Sequence, residues 1–186
     1  VAVDEELPAL EAHTGRAELH RGVVLGVEEV GGTQVLVAAL VLLFVAAARV
    51  GARLVHMSSD ALHAGRPAPY LDADAPTPVH LYGAAKAAAE TAVAAVDPAA
   101  VLVRTSLIIG DDRSKQIRLC LDLAAGRREG ALFTDEVRCP VAVQDLAAAV
   151  LELAGSAVAG PLNVAGPEVL SRADLGRRVA VRAGLD

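Results

Sequence analysis

Apolar positions along this chain gather into one long run and a series of short ones. The long run, Val35 to Ala48, holds fourteen apolar residues and is followed by Arg49 and Gly51. A helix needs roughly 20 apolar residues to cross a bilayer. The run therefore predicts a buried helix ending near Gly51. Arg53-Leu54-Val55-His56-Met57 comes next, a short apolar run after a helix-ending glycine, and it predicts a buried strand. Helix, glycine turn and strand make half of a βαβ unit. Residues 64–78 predict a loop, and Pro76 and Pro78 bar an earlier helix start. An Ala-rich helix is predicted from about Val79 to Val96, closed by Asp97-Pro98, and then a strand over Val101–Thr105. A polar turn, Asp111 to Ser114, leads into a helix to about Ala125. Short strands are predicted at Ala131–Phe133, Val137–Val141 and Leu162–Val164. A helix capped by Asp145 is predicted to end near Gly155. Ser171-x-x-Asp174 resembles a capping box, with Asp for the usual Glu, opening the last helix. Strands and helices in alternation argue for the α/β class with a parallel sheet. The first 28 residues say less: Leu7–Leu19 suits a short polar helix and Val23–Leu25 a short strand.

Composition narrows the classes of function. The chain has 186 residues, enough for one domain with a small lobe. Its core must be aliphatic, because aromatic residues make up 2% and there is no Trp. A net charge of −6 offers no basic surface for nucleic acid. Cys120 and Cys139 are too few for a disulfide framework and read as reduced thiols of a cytoplasmic protein. No secretory leader pattern opens the chain, and neither a membrane partner nor a metal site is expected. Gly26-x-x-x-x-Gly31-Gly32-Thr33 has the outline of a phosphate loop but carries Gly where the motif needs Lys, so it reads as a flexible helix entry.

The chemistry concentrates in Tyr82-Gly83-Ala84-Ala85-Lys86 and in Ser58-Ser59-Asp60 upstream. The chain has only two tyrosines and two lysines, and one of each stands four residues apart on a predicted helix. That spacing puts both side chains on one helix face. A phenol is a poor proton donor near neutrality, and an ammonium one turn away stabilises its phenolate. Ser58-Ser59-Asp60 falls at the carboxyl end of a predicted strand, the edge where open parallel sheets bind ligands.

From about Gly32 onward the motifs, taken in order, resemble the extended short-chain dehydrogenase/reductases, and within them the dTDP-4-dehydrorhamnose reductase-like group. Gly32-Thr33 resembles the opening of the helix before the catalytic strand, although Glu29 stands where that group usually has Asn. Arg53 to Asp60 resembles the strand that carries the catalytic Ser/Thr, and Gly65 lies six residues after Ser59, as in the reductase-like group. Pro78-Val-His-Leu-Tyr82-Gly83-x-x-Lys86-x-x-x-Glu90 resembles the catalytic helix. Val103-Arg104-Thr105-Ser106, followed by Gly110, resembles the strand exit beside the nicotinamide. Arg138-Cys-Pro140-Val-x-Val-x-Asp145 resembles the hinge into the substrate lobe, and Gly160-Pro-Leu-Asn163-Val-Ala-Gly166 a late strand of that lobe.

The resemblance implies a partial Rossmann-like parallel sheet with helices on both faces and a small, incomplete C-terminal substrate lobe. Its implied divisions are an atypical segment over 1–31, a catalytic part over 32–130 and the lobe over 131–186. It implies an NAD(P)-dependent reductase of a nucleotide-linked 4-keto sugar. Ser59, Tyr82 and Lys86 would be catalytic. Ser58, Tyr82, Lys86, Arg104 and Thr105 would hold the cofactor. Ser59, Asp60, Ser106 and Arg138 would meet the substrate. Tyr82 would protonate the C4 oxygen, Lys86 would support it and hold the nicotinamide ribose, and Ser59 would polarise the carbonyl. The partner is a nucleotide sugar, with a homodimer left open. Three features depart from the group. No G-x-x-G-x-x-G or G-x-G-x-x-G occurs to receive a pyrophosphate, so a truncated or cofactor-impaired form is expected. Leu107 stands where the reductases often have an aromatic, and the chain ends earlier than the lobe normally does. Two alternatives stay open. One is a non-catalytic binding or regulatory protein of the same fold. The other is a nucleotide-sugar epimerase or dehydratase, disfavoured by the Gly65 spacing and by Ala61, where dehydratases place an acid.

Overall fold

The computed structural model describes residues 42–185, and Phe44–Asp186 form one compact unit. The readings at Leu7–Leu19, Val23–Leu25 and Gly26–Thr33, and the division at residue 31, lie outside the described residues. Helix α1 covers residues 42–49 of the described chain and ends in a turn at Gly51, whose φ of 68° is the left-handed conformation that glycine adopts at least cost. Its described part is less buried than the apolar run predicts, since Leu42 and Leu43 are exposed.

The core is a three-stranded parallel sheet in the order β1-β2-β6, made of β1 (Val55–Ser59), β2 (Val101–Thr105) and β6 (Gly160–Val164). The register aligns Val55 with Val101 and Gly160, and Ser59 with Thr105 and Val164. The central strand β2 is buried at every position, as both faces of an inner parallel strand should be. Its side chains alternate between two aliphatic layers. Val101 and Val103 pack with Leu146 and Leu153 of α4 (Val143–Ala154), whereas Leu102 packs with Val93 of α2 (Leu81–Val96) and with Phe44 of α1. Helices therefore cover both faces of a Rossmann-like parallel sheet, as the sequence predicts.

The rest is built from short pieces. A 3-10 turn, Asp60–Leu62, follows β1 directly. Strand β3 (Ile108–Ile109) pairs in parallel with β5 (Val141–Ala142), and β4 (Val137–Arg138) pairs antiparallel with β7 (Leu170–Ser171). Helices α3 (Lys115–Ala124) and α5 (Arg172–Arg182) pack on one another.

Several sequence expectations need correction. Residues 131–133 form no strand. The strand expected over Val137–Val141 is two strands in two different sheets, split at Cys139-Pro140, because Pro140 has no N–H to continue a ladder. Helix α4 begins at Val143 with Ala142 at its N-cap, so Asp145 sits inside the first turn and caps nothing with its side chain. β6, expected in the lobe, is the third strand of the main sheet, because Leu162 and Val164 complete its aliphatic layer. The expectation at Ser171 matches the structure: its Oγ accepts the Asp174 N–H at 3.0 Å and donates to the Asp174 carboxylate at 2.6 Å.

Candidate active site

At the carboxyl end of the parallel sheet a cleft of about 500 Å³ opens. It is lined from β1 by Met57, Ser58 and Ser59, from α2 by Tyr82 and Lys86, and from the end of β2 by Thr105 and Ser106. Leu107, Ile108, Ser114, Lys115, Gln116 and Arg138 close the other side. Its volume suits a small-molecule site.

Helix α2 brings Tyr82 and Lys86 to this cleft because of how it starts. His80 caps it, its Nδ1 accepting the Gly83 N–H at 2.9 Å. Gly83 then lies so close to the turn after Ser59 that a Cβ there would sit 2.2 Å from the Ala61 carbonyl oxygen. Only glycine permits that approach. Lys86 Nζ donates to the Met57 carbonyl at 3.0 Å and stands 5.9 Å from the centre of the Tyr82 ring. The ammonium is thus pinned between strand and phenol. Tyr82 is 58% exposed, with its ring open to the cleft.

Ser59 is buried at the sheet edge. Its Oγ accepts the Ala61 N–H at 3.2 Å and reaches Asp60 Oδ1 at 3.5 Å. Asp60 does not line the cleft; its Oδ1 accepts from Arg138 Nη2 at 2.5 Å, joining the turn after β1 to strand β4. The Ser106 hydroxyl accepts the Cys139 N–H at 3.1 Å, a second tie between the same regions. Ser58 and Thr105 line the cleft with buried hydroxyls that have no partner in the protein. By the strand register Ser58 shares a sheet face with Arg104, and Thr105 shares the opposite face with Ser59.

Arg104, expected at the cofactor, does not line the cleft. It is buried and paired with Glu90, donating from Nε at 3.0 and 3.2 Å and from Nη2 at 2.8 Å. Its Nη1 donates to the carbonyls of Asp72 and Asp74. The guanidinium therefore anchors the 64–78 loop to the sheet. Asn163, beside Arg104 in the register, helps: its N–H donates to Asp72 and its Nδ2 to the Tyr70 carbonyl. Glu90 lies on the same helix face as Tyr82 and Lys86, but sequence spacing gives no hint of its buried partner.

The sequence reading missed Lys115, Ser114 and Gln116. They come from the start of α3, and a tertiary turn brings them to the cleft. A faint signal existed, since Lys115 is the chain's second lysine. Among the described residues no three metal-ligating side chains gather, and no helix is long and apolar enough to cross a membrane.

Residues 28–186 match the family described as the RmlD substrate binding domain. The chain is 37% identical over 148 residues to dTDP-4-dehydrorhamnose reductase of Mycobacterium tuberculosis, an alignment covering 76% of this chain and 49% of that protein. The crystal structure of dTDP-4-dehydrorhamnose reductase from Bacillus anthracis in complex with NADP superposes with a TM-score of 0.70 at 28% identity, covering 76% of this chain and 51% of that one. The chain spans about half the length of these relatives. A dTDP-glucose 4,6-dehydratase from Bacillus anthracis, 20% identical with a TM-score of 0.61 over 72% of this chain and 47% of its own, shares the fold.

Proposed function

The chain belongs to the family of the RmlD substrate binding domain, and on that premise we propose that it is the ketone-activating, substrate-holding part of an NAD(P)-dependent reductase of a nucleotide-linked 4-keto sugar. One observation carries the reading: Ser59, Tyr82 and Lys86, from two elements of the fold, line a single cleft. In ketone reduction charge develops on one oxygen, and two donors aimed at it stabilise the transition state. Tyr82 gives that oxygen its proton. Ser59 hydrogen-bonds it, freed from its 3.5 Å contact with Asp60 by a small rotation about its side-chain bond. Lys86, fixed on the Met57 carbonyl, holds positive charge beside the phenol as the proton leaves. Asp60 and Arg138 hold the two sides of the cleft together, with Arg138 presenting its charge to the substrate.

The residues present fit the reactive end of a nicotinamide cofactor. Lys86 offers an ammonium beside the cleft residues Ser59 and Tyr82, and Ser58 and Thr105 line the same cleft. When bound, NAD(P) supplies the hydride. Arg104 has no part in holding it, because Glu90 and two carbonyls occupy its donors. The described residues contain no glycine-rich turn for a pyrophosphate, so appreciable cofactor affinity needs further chain.

The test joins this chain in frame to the glycine-rich N-terminal half of a full-length relative. The expected result is NADPH oxidation dependent on a nucleotide-linked 4-keto sugar. Tyr82→Phe should lower kcat by about 10²-fold or more, the usual worth of a positioned general acid, with an unchanged circular-dichroism spectrum. Full activity in Tyr82→Phe would remove the assignment.

A further inference from the structure

Helix α2 carries Tyr82 and Lys86, and an uncommon cap holds its start. N-caps are ordinarily Ser, Thr, Asp or Asn, whose short side chains accept one of the leading N–H groups. Here the cap is His80, in extended backbone, with Nδ1 accepting the Gly83 N–H at 2.9 Å. Its carbonyl accepts the Ala84 N–H at 3.0 Å, the first bond of the helix. The imidazole is packed as well as bonded. A Cβ on Gly83 would meet His80 Cε1 at 3.1 Å. The ring lies 6.3 Å from the Tyr82 ring, centre to centre, with 28° between their planes. Tyr82 therefore sits inside the turn that His80 closes.

Among the described residues three side chains accept an N–H at a helix start: Ser59, His80 and Ser171. A serine hydroxyl does not change charge with pH, and an imidazole does. Nδ1 accepts only while it carries no proton, so the cap fixes the neutral ring with its proton on Nε2. A second proton undoes the cap in two ways. It sets an N–H against the Gly83 N–H, and it places a cation at the positive end of the helix dipole. His80 is exposed, so solvent can supply that proton. Other titratable groups stand on the same elements. On α2 they are Tyr82, Lys86 and Glu90, the last paired with Arg104. On the strand and turn packed against α2 they are His56 and Asp60, the latter paired with Arg138, with His63 just past the turn. Among the described residues none of these is bonded to His80, whose side-chain bond is the cap.

We propose that His80 is a positioning residue for Tyr82 whose hold depends on its own protonation. The neutral imidazole keeps the first turn of α2 in the geometry that aims the phenol into the cleft, and protonation releases that turn. The cap rests on geometry alone, and its effect on turnover rests on the reductase reading.

Two measurements test it. The first, on the 186-residue chain, is amide exchange at Gly83, read as a protection factor from about pH 7.5 to about pH 5.5, the range in which histidine side chains change charge. Protection is expected to fall about fivefold on acidification, the usual worth of a cap, and to hold within about twofold in His80→Asn, which caps without titrating. His56 and His63 are present in both chains, so their protonation cancels in the comparison. The second measurement is turnover by the joined enzyme over the same range. At the acid end the unmodified enzyme should fall about tenfold in kcat below His80→Asn, since a small misplacement of a catalytic group is costly. KM should stay within about twofold, because the lost interaction serves the transition state. His80→Ala should be slow at both ends of the range with an unchanged circular-dichroism spectrum, and His80→Asn should restore kcat at the neutral end. Equal acid losses of Gly83 protection in the unmodified chain and in His80→Asn, or equal acid losses of kcat in the two joined enzymes, would overturn the proposal. If Gly83 protection follows His80 but the joined enzyme reduces no sugar, the proton-dependent cap stands and the reductase reading falls. If sugar is reduced and His80→Ala keeps full kcat throughout, the reductase reading stands and the positioning role falls.

Discussion

On one side of the cleft, Ser58, Ser59, Tyr82 and Lys86 stand on a five-residue strand and a sixteen-residue helix. On the other, Ile108, Lys115 and Arg138 stand on two-residue strands and the first residue of a helix. The sheet wall is backed by two aliphatic layers and a buried ion pair. The opposite wall is tied to it by the Arg138–Asp60 ion pair, by the Ser106 hydroxyl on the Cys139 N–H, and by Val141 of β5, which packs in one of those aliphatic layers. The contrast matches two different demands. Proton donors that must meet one oxygen tolerate little displacement. A wall of turns and two-residue strands can be rebuilt between relatives without disturbing the chemistry. If that is right, damage to the sheet wall should cost stability and turnover together, and damage to the α3 wall should cost mainly affinity.

The largest effect is expected from Glu90→Ala. It leaves the Arg104 guanidinium in the core with two backbone carbonyls and no carboxylate. Breaking a buried pair by removing one partner typically costs about 3–5 kcal/mol, to be read from urea unfolding. The double variant Glu90→Leu with Arg104→Met should recover much of the loss, since an apolar pair of similar volume removes the stranded charge. Arg113→Ala, which breaks an exposed pair beside the α3 wall, should leave the midpoint unchanged. A small effect at Glu90 would mean that the sheet wall is no better anchored than its opposite.

Gly83→Ala comes next. The new Cβ would lie 2.2 Å from the Ala61 oxygen, so the first turn of α2 must lift from the turn after Ser59. Overpacking of this kind costs about 1–3 kcal/mol. Because Tyr82 and Lys86 ride on that turn, the joined enzyme should lose kcat more than its stability loss explains. Ser171→Ala is the matching lesion outside the main parallel sheet. It removes the cap of α5 and should cost about 1 kcal/mol, with kcat unchanged. Equal effects of the two variants on kcat would erase the distinction between the walls.

What the sequence made legible follows the same division. A strand expected over 53–57 and found two residues later over Val55–Ser59, the strand at 101–105, the helix carrying Tyr82 and Lys86, and the Ser171 cap could be read because local pattern decides them. Short-range rules place a phenol and an ammonium on one helix face, and a serine at a strand end. The α3 wall was not legible. Two-residue strands carry no periodicity, and Pro140 cuts one predicted strand into two that join different partners. The buried pairing of Arg104 with Glu90 was not legible for a related reason. The position of Arg104 at a strand exit suggested a ligand, while its partners lie fourteen to thirty-two residues away in sequence. Lys115 reaches the cleft only through the turn after β3, which no spacing rule foretells.

The smallest expected effect is one of pH, and it too separates the regions. His56 on β1 and His63 just after the Asp60–Leu62 turn both titrate below the ordinary histidine value of 6.5, burial being the first cause in each. Charge adds to it, from Lys86 for His56 and from Arg104 for His63. Both ring nitrogens of His63, and Nε2 of His56, are buried without a partner. The folded state therefore binds fewer protons than the unfolded state just below pH 6.5, and stability rises with pH there. Their contribution is whole above 6.5 and is lost as pH falls toward the lowered folded values. Asp74 and Asp174, both depressed below the usual 3.8 by hydrogen bonds first, stay ionised in this window and lose their contribution only in stronger acid. Between pH 7.5 and 5.5 the urea midpoint should fall, and amide exchange should quicken in β1 and β2 before it does in α5. His63→Phe should flatten part of that slope, because the phenyl ring stacks on Tyr70 as the imidazole does, at a centroid distance of 3.9 Å, without a proton to bind. A midpoint that rises on acidification to 5.5, or exchange that quickens first in α5, would show that these histidines do not set the pH response of the sheet wall.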